Sequence, residues 1–166
     1  ITAEQRTARK NFLGASDVPA ILGLDPWRTP ADVYLSKTAD LIDEPGDAAK
    51  LGNHFERPIL EWAAERIGTL EYDLPTCYRD GTVLCANLDA RHKASRSPVE
   101  AKLTAVGDGW GEAGTDQVPE RVLVQTTVQM ICNPADEAFV SAFLAGCRSV
   151  ADALRIYRIP FNAQLA

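Results

Sequence analysis

The apolar residues of this chain change their period along its length, and the changes divide it into elements. Between Lys50 and Ile67, the residues Leu51, Phe55, Ile59, Leu60, Trp62, Ala63 and Ile67 recur at helical spacing and fall within one half of a wheel. Lys50, His54, Arg57, Glu61 and Glu65 fill the other half, so the spacing predicts an amphipathic helix over 50–67. Glu56 breaks the pattern, because it sits inside the apolar half between Ala63 and Ile67. Pro58 either kinks this helix or marks a fresh start near Arg57.

Upstream, residues 3–13 are compatible with a helix that Gly14 interrupts. Ser16-Asp17-Val18-Pro19 then supplies a cap and an early proline for a second helix running to Gly23. Asp25 to Pro30 is turn-rich, and Thr29 or Pro30 opens a third short helix through Lys37. Beyond Gly68 the pattern becomes that of strands, over 69–74, 83–91 and 98–104. A glycine-rich loop over 107–116 leads to Pro119 and a helix through Ile131, which Asn133-Pro134 stops. Two more strands are expected over 139–144 and 154–159. This order describes an α/β (α+β) fold, a mixed central β-sheet flanked by helices and preceded by N-terminal helices.

The 166 residues, 46% hydrophobic and 24% charged, suffice for one core, so residues 1–166 are read as a single domain. The chain starts at Ile1 and stops in mid-segment at Ala166, and it is read as lacking part of its C-terminus. No apolar run approaches the roughly 20 residues of a membrane span, so a soluble, cytoplasmic protein without membrane association is expected. Cys77, Cys85, Cys132 and Cys147 form no C-x-x-C pair, and they read as free thiols of a reducing compartment. The net charge of −6 argues against a protein that coats nucleic acid through a general basic surface. Any such contact has to be local.

Chemistry enters at Val99-Glu100-Ala101-Lys102-Leu103. Alternate side chains of a strand share a face, so Glu100 and Lys102 point together while Ala101 points away. If the stretch around Leu88-Asp89-Ala90 is the antiparallel neighbour, Asp89 and Glu100 lie about 5 Å apart, close enough to hold one cation. Hard oxygen ligands of this kind, with the Ala101 carbonyl as a further donor, suit Mg²⁺ or Mn²⁺. A metal that activates water, beside a lysine that orients it, is what phosphodiester hydrolysis requires. Glu56 adds a fourth group, since a carboxylate on an apolar helix face needs compensation, by a metal or by an ion pair with an arginine.

These residues resemble the PD-(D/E)xK nuclease superfamily, and within it the YqaJ-like viral recombinases to which lambda exonuclease belongs. The resemblance runs through Gly14 to Gly23, Pro26-Trp27-Arg28-Thr29-Pro30, Gly52 to Pro58, Asn87-Leu88-Asp89, Val99 to Lys102, Trp110-Gly111-Glu112, Val118-Pro119 and Gln125. It implies a restriction-endonuclease-like core and a metal-dependent 5′→3′ exonuclease on linear double-stranded DNA ends, making single strands for phage-type recombination. It further implies Asp89, Glu100 and the Ala101 carbonyl as metal ligands, Glu56 assisting, Lys102 positioning the water, and Gln125 contacting the site or the DNA. Arg9 and Ser16 resemble a pair that holds the 5′-phosphate, and a hydroxyl and an arginine before a helix start suit an anion. A plain helix cap is the alternative for Ser16. A trimeric ring and a single-strand annealing partner, in a bacterial or phage-infected cell, belong to the same expectation.

The sequence departs from the family pattern at Ala90, where glycine is usual, and at Gln129, where related nucleases often carry tyrosine. The basic run Arg91 to Arg96 is either a DNA-facing loop or an exposed hairpin tip. His54 is read as solvated, and Trp27 and Trp110 as packing under loops or touching DNA. Two other readings stay open: a PD-(D/E)xK nuclease of different polarity, including an iron-sulfur type, and an inert DNA-end-binding protein on the same fold.

Overall fold

The structure, a computed structural model, describes residues 10–39, 46–105, 109–147 and 149–164. Five helices and eight strands are assigned among them. In chain order they are β1 (Leu13–Gly14), α1 (Val18–Ile21), α2 (Pro30–Thr38), α3 (Asp47–Ile67), β2 (Leu70–Glu71), β3 (Cys77–Tyr78), β4 (Leu84–Ala86), β5 (Ala90–His92), β6 (Pro98–Ala105), α4 (Glu120–Cys132), β7 (Glu137–Ala145), α5 (Val150–Ala153) and β8 (Leu154–Pro160).

The main sheet has the order β2-β5-β6-β7-β8. It is mixed: β6 and β7 run parallel with Glu100 opposite Val140, and the other pairs are antiparallel. Parallel neighbours need a crossover, and α4 supplies it. On that face Val140, Ala142 and Leu144 pack against Val122 and Met130 of α4. On the other face Val99 and Phe139 pack against Leu60 of α3. Alternation along β6 and β7 therefore feeds both layers, and the sheet is buried between two helices. A second, small sheet of order β1-β4-β3 carries the N-terminal turn, with β1 parallel to β4.

Several boundaries differ from the sequence reading. The stretch over 83–91 is two strands rather than one, because the chain bends over Asn87 to Asp89 and passes from the small sheet to the large one. The strand over 69–74 shortens to Leu70–Glu71, since it pairs only with Arg91 and His92. Of the helix expected over 3–13, residues 3–9 lie outside the described residues; Lys10 and Asn11 are helical, and Leu13–Gly14 is an edge strand held by β4. Helix α3 is unbroken through Pro58, an internal proline that forfeits one backbone bond. Its C-terminal half buries Ile59, Leu60 and Ala63 as expected, whereas Leu51 and Phe55 stay exposed along a groove shared with Leu103 and Phe143 of the sheet.

Candidate active site

Asp89 closes the bend that feeds β5. The pairing of Ala90 with Val99 brings it across from Glu100, and its Oδ2 accepts the backbone amide of Ala101 at 2.9 Å. Glu100 and Lys102 share the α4 face of β6. Lys102 Nζ lies 2.5 Å from Glu100 Oε1 and donates to Gln125 Oε1 at 3.1 Å. Gln125 Nε2 in turn donates to Glu100 Oε1 at 2.7 Å. Gln129, one turn further along α4, gives its Nε2 to Glu100 Oε2. Glu100 is buried, at 3% exposure, and such a charge is tolerated only because three donors surround it.

Glu56 reaches the same place from α3. Asp89, Glu100, Ala101, Lys102, Glu56 and Ile59 line one cleft of about 280 Å³. The half-buried Glu56 makes no hydrogen bond or ion pair among the described residues. The misfit of this residue on its helix thus corresponds to a carboxylate turned into a cleft, with no arginine paired to it among the described residues.

The electrostatics of the cleft are set by burial first and by crowded negative charge second. Burial raises the Asp89 carboxyl well above its usual range, and the charges of Glu100 and Glu56 push it the same way. Burial, then Glu100, raises Glu56. For Lys102, burial works downward, but Glu100 and Asp89 outweigh it and hold the ammonium above its usual value. Lys102 is therefore a fixed cation, suited to orienting a water or stabilising an anion rather than to accepting a proton.

The donor set suits a hard divalent cation in chemistry: three carboxylates on one cleft, with a charge excess that one lysine does not cancel. It is not closed into a cage. Among the described residues no three acidic, imidazole or thiol groups stand at ligand spacing, so a cation would have to draw the carboxylates closer together.

The remaining candidates sort by geometry. Arg9 lies outside the described residues. Ser16 is half-buried in the turn before α1, and its neighbour Ala15 packs with Leu88 and Val128, so this turn abuts both the Asp89 bend and α4. Asp17 is buried and accepts from Gly14 N, Arg28 and Lys37. It caps nothing with its side chain. His54 is exposed. Of the Arg91 to Arg96 run, Arg91 and His92 belong to β5 and the rest forms the β5–β6 hairpin turn; Arg91 and Arg96 both pair with Glu71.

Trp110 packs on Tyr157 with ring centroids 5.3 Å apart, whereas Trp27 is 74% exposed with Arg121 stacked on it. All four cysteines are free, and burial, aided by the neighbouring Cys85 and Cys77, pushes Cys132 up to about 11. That is the behaviour of an inert thiol. Gln129 is the site residue whose part the sequence did not assign; its spacing of four from Gln125 was the available signal.

Comparison with known proteins identifies the family and the fold. Residues 5–138 match the model of the YqaJ-like viral recombinase domain. The YqaJ protein of Bacillus subtilis (strain 168) is 26% identical over 121 residues, which span 70% of this chain. The chain covers 38% of the length of that curated relative.

Among solved structures, the alkaline exonuclease LHK-Exo from Laribacter hongkongensis superposes with a TM-score of 0.72 at 15% identity, over 99% of this chain and 84% of that one. LHK-Exo in complex with dAMP gives 0.75 at 16%, over 99% and 85%. A phage related exonuclease from Haemophilus somnus 129PT gives 0.66 at 12%, over 93% and 86%. These likenesses identify the fold as restriction-endonuclease-like, a mixed sheet between helices. Together with the match across most of its length, they show that the chain belongs to the YqaJ-like viral recombinase family.

Proposed function

We propose that this domain is a metal-dependent deoxyribonuclease that degrades linear double-stranded DNA from its ends, 5′→3′, and leaves single strands for recombination. The observation that carries the reading is the convergence of Glu56, Asp89 and Glu100 on one cleft beside Lys102. A cluster of acids around one fixed cation has little structural rationale, and it suits a site that binds a divalent ion and a phosphodiester.

Asp89, Glu100, the Ala101 carbonyl and Glu56 would hold Mg²⁺ or Mn²⁺. When bound, the ion would polarise the phosphoryl oxygen and acidify a water. Lys102, tethered by Gln125, orients that water and stabilises the charge that develops on the phosphate. Gln125 and Gln129 fix the Glu100 carboxylate in one orientation. The Ser16 turn, with Arg9, is read as the seat of the 5′-phosphate. A ring of three copies, an annealing partner and a cytoplasmic setting complete the reading. Among the described residues no helix is long and apolar enough to cross a membrane.

The test is a time course on linear duplex with 5′-phosphorylated or 5′-hydroxyl ends, in Mg²⁺ or Mn²⁺. Release of nucleotides from phosphorylated 5′ ends, abolished by Asp89→Asn, is expected. Duplex left intact in both ions, with the variant indistinguishable, overturns the reading.

A further inference from the structure

Helix α4 presents Arg121, Gln125 and Gln129 at intervals of four, on one face. Gln125 and Gln129 touch Glu100, so this face looks onto the cleft, and Arg121 continues it one turn toward the helix start. Arg121 is close enough for its charge to act on the Lys102 ammonium. It is half-buried, and no carboxylate pairs with it among the described residues. Its guanidinium instead lies 4.8 Å from the ring centroid of Trp27.

Trp27 is itself anomalous. At 74% it is the most exposed of the large hydrophobic side chains in the described residues, whereas Trp62 and Trp110 are half-buried. The loop that presents it is braced on both sides: Trp27 N donates to Asp25 Oδ1, Arg28 pairs with buried Asp17 at 3.0 Å, and Thr29 caps α2. A rigid mount for an unburied indole forfeits the usual gain from burying it.

We propose that Trp27 and Arg121 form a nucleotide-docking platform at the rim of the carboxylate cleft, with an unpaired DNA base on the indole face and a backbone phosphate on the guanidinium. Stacking fixes the guanidinium plane while leaving its N–H edge open to a phosphate. The solvent-facing side of the indole takes a base of any identity, because every base has a π-face. On a chain of net charge −6 such a local cation is what draws DNA to the cleft. This platform rests on the nuclease reading and adds to it the grip on the strand beside the cleaved bond.

The experiment titrates the full chain with a duplex bearing an unpaired tail, in Ca²⁺ so that cleavage does not intervene, and reads intrinsic tryptophan fluorescence and affinity. Binding should quench the fluorescence. Trp27→Ala should remove most of the quench and weaken affinity about tenfold, with recovery in Trp27→Phe. An abasic tail should weaken the unaltered chain to a similar degree and add nothing in Trp27→Ala. Arg121→Ala should lower the salt dependence by about one phosphate contact.

Unchanged affinity and quench in Trp27→Ala, or an abasic penalty that persists in it, overturns the platform, and so does a chain that binds no DNA. Circular dichroism and the Phe variant separate misfolding from lost stacking. A chain that binds with these properties and never cleaves in Mg²⁺ overturns the nuclease reading alone.

Discussion

The amide of Ala101 donates to Asp89 Oδ2 at 2.9 Å, which ties the carboxylate of the bend to the strand that carries Glu100 and Lys102. An Asn oxygen accepts this bond as well as a carboxylate does. Asp89→Asn should therefore keep the fold and lose about two to three orders of magnitude in initial rate on linear duplex. A variant that cuts at the full rate would remove Asp89 from the site.

The same substitution has an opposite effect on stability. Burial, Glu100 and Glu56 raise the Asp89 carboxyl. A carboxyl whose pKa is higher folded than unfolded binds more protons in the native state. Its contribution is full below the unfolded value, about 3.9 for an aspartate, and is lost as pH rises toward the folded one. In EDTA, Asp89→Asn should exceed the unaltered chain in Tm at neutral pH and converge with it in acid. A gap that widens in acid would contradict this.

Divalent cations should reverse the penalty. Mg²⁺ or Mn²⁺ in hundredfold excess over its Kd adds about 2.7 kcal/mol by mass action, visible as a rise in Tm over an EDTA control. Glu100→Gln should show little of that rise. Equal responses in the two proteins would mean that the ion binds elsewhere.

Asp17 pairs with both Arg28 and Lys37 from a buried position, and it also accepts the amide of Gly14. Asp17→Ala should destabilise the chain by about 3 kcal/mol in urea unfolding and loosen the Ser16 turn. Double substitution with Lys37→Met should recover part of the loss. A single variant within experimental error of the unaltered chain would show that the bridge is solvated.

Tyr157 is buried, and its hydroxyl meets the Gly111 carbonyl at 3.0 Å, where Arg155 also donates. Tyr157→Phe should cost about 1 kcal/mol. Gly111→Ala should cost more, because a Cβ there lands on the Gln117 side chain. Chemical denaturation of the two variants ranks them, and the reverse order would refute this account of Trp110-Gly111-Glu112 as a structural clasp.

Periodicity made the layers legible. The two-residue period of β6 put Glu100 and Lys102 on one face, as the shared contact with Gln125 shows, and the helical wheel isolated Glu56. Short elements escaped it: Leu13–Gly14 and Cys77–Tyr78 are strands only because β4 lies between them, and no local pattern records that. The break over Asn87 to Asp89 was hidden for a similar reason, since residues on both sides are equally strand-like and only tertiary pairing separates them. The sequence marks Gln129 only as standing where tyrosine is usual and assigns it no role, because the need of the buried Glu100 for its amide shows only in the tertiary structure.

The bend that ends at Asp89 has a mechanical side. The small sheet hangs the Ser16 turn from β1, and the large sheet carries Glu100; the chain that joins them is the short strut of Asn87, Leu88 and Asp89. On the proposed function, a DNA end seated at the Ser16 turn would pull on that strut, and seating the substrate would then be coupled to the position of the Asp89 carboxylate. We expect hydrogen exchange at residues 87–89 to slow when a DNA end binds, and a strut whose exchange is indifferent to DNA would show the two sheets to be uncoupled.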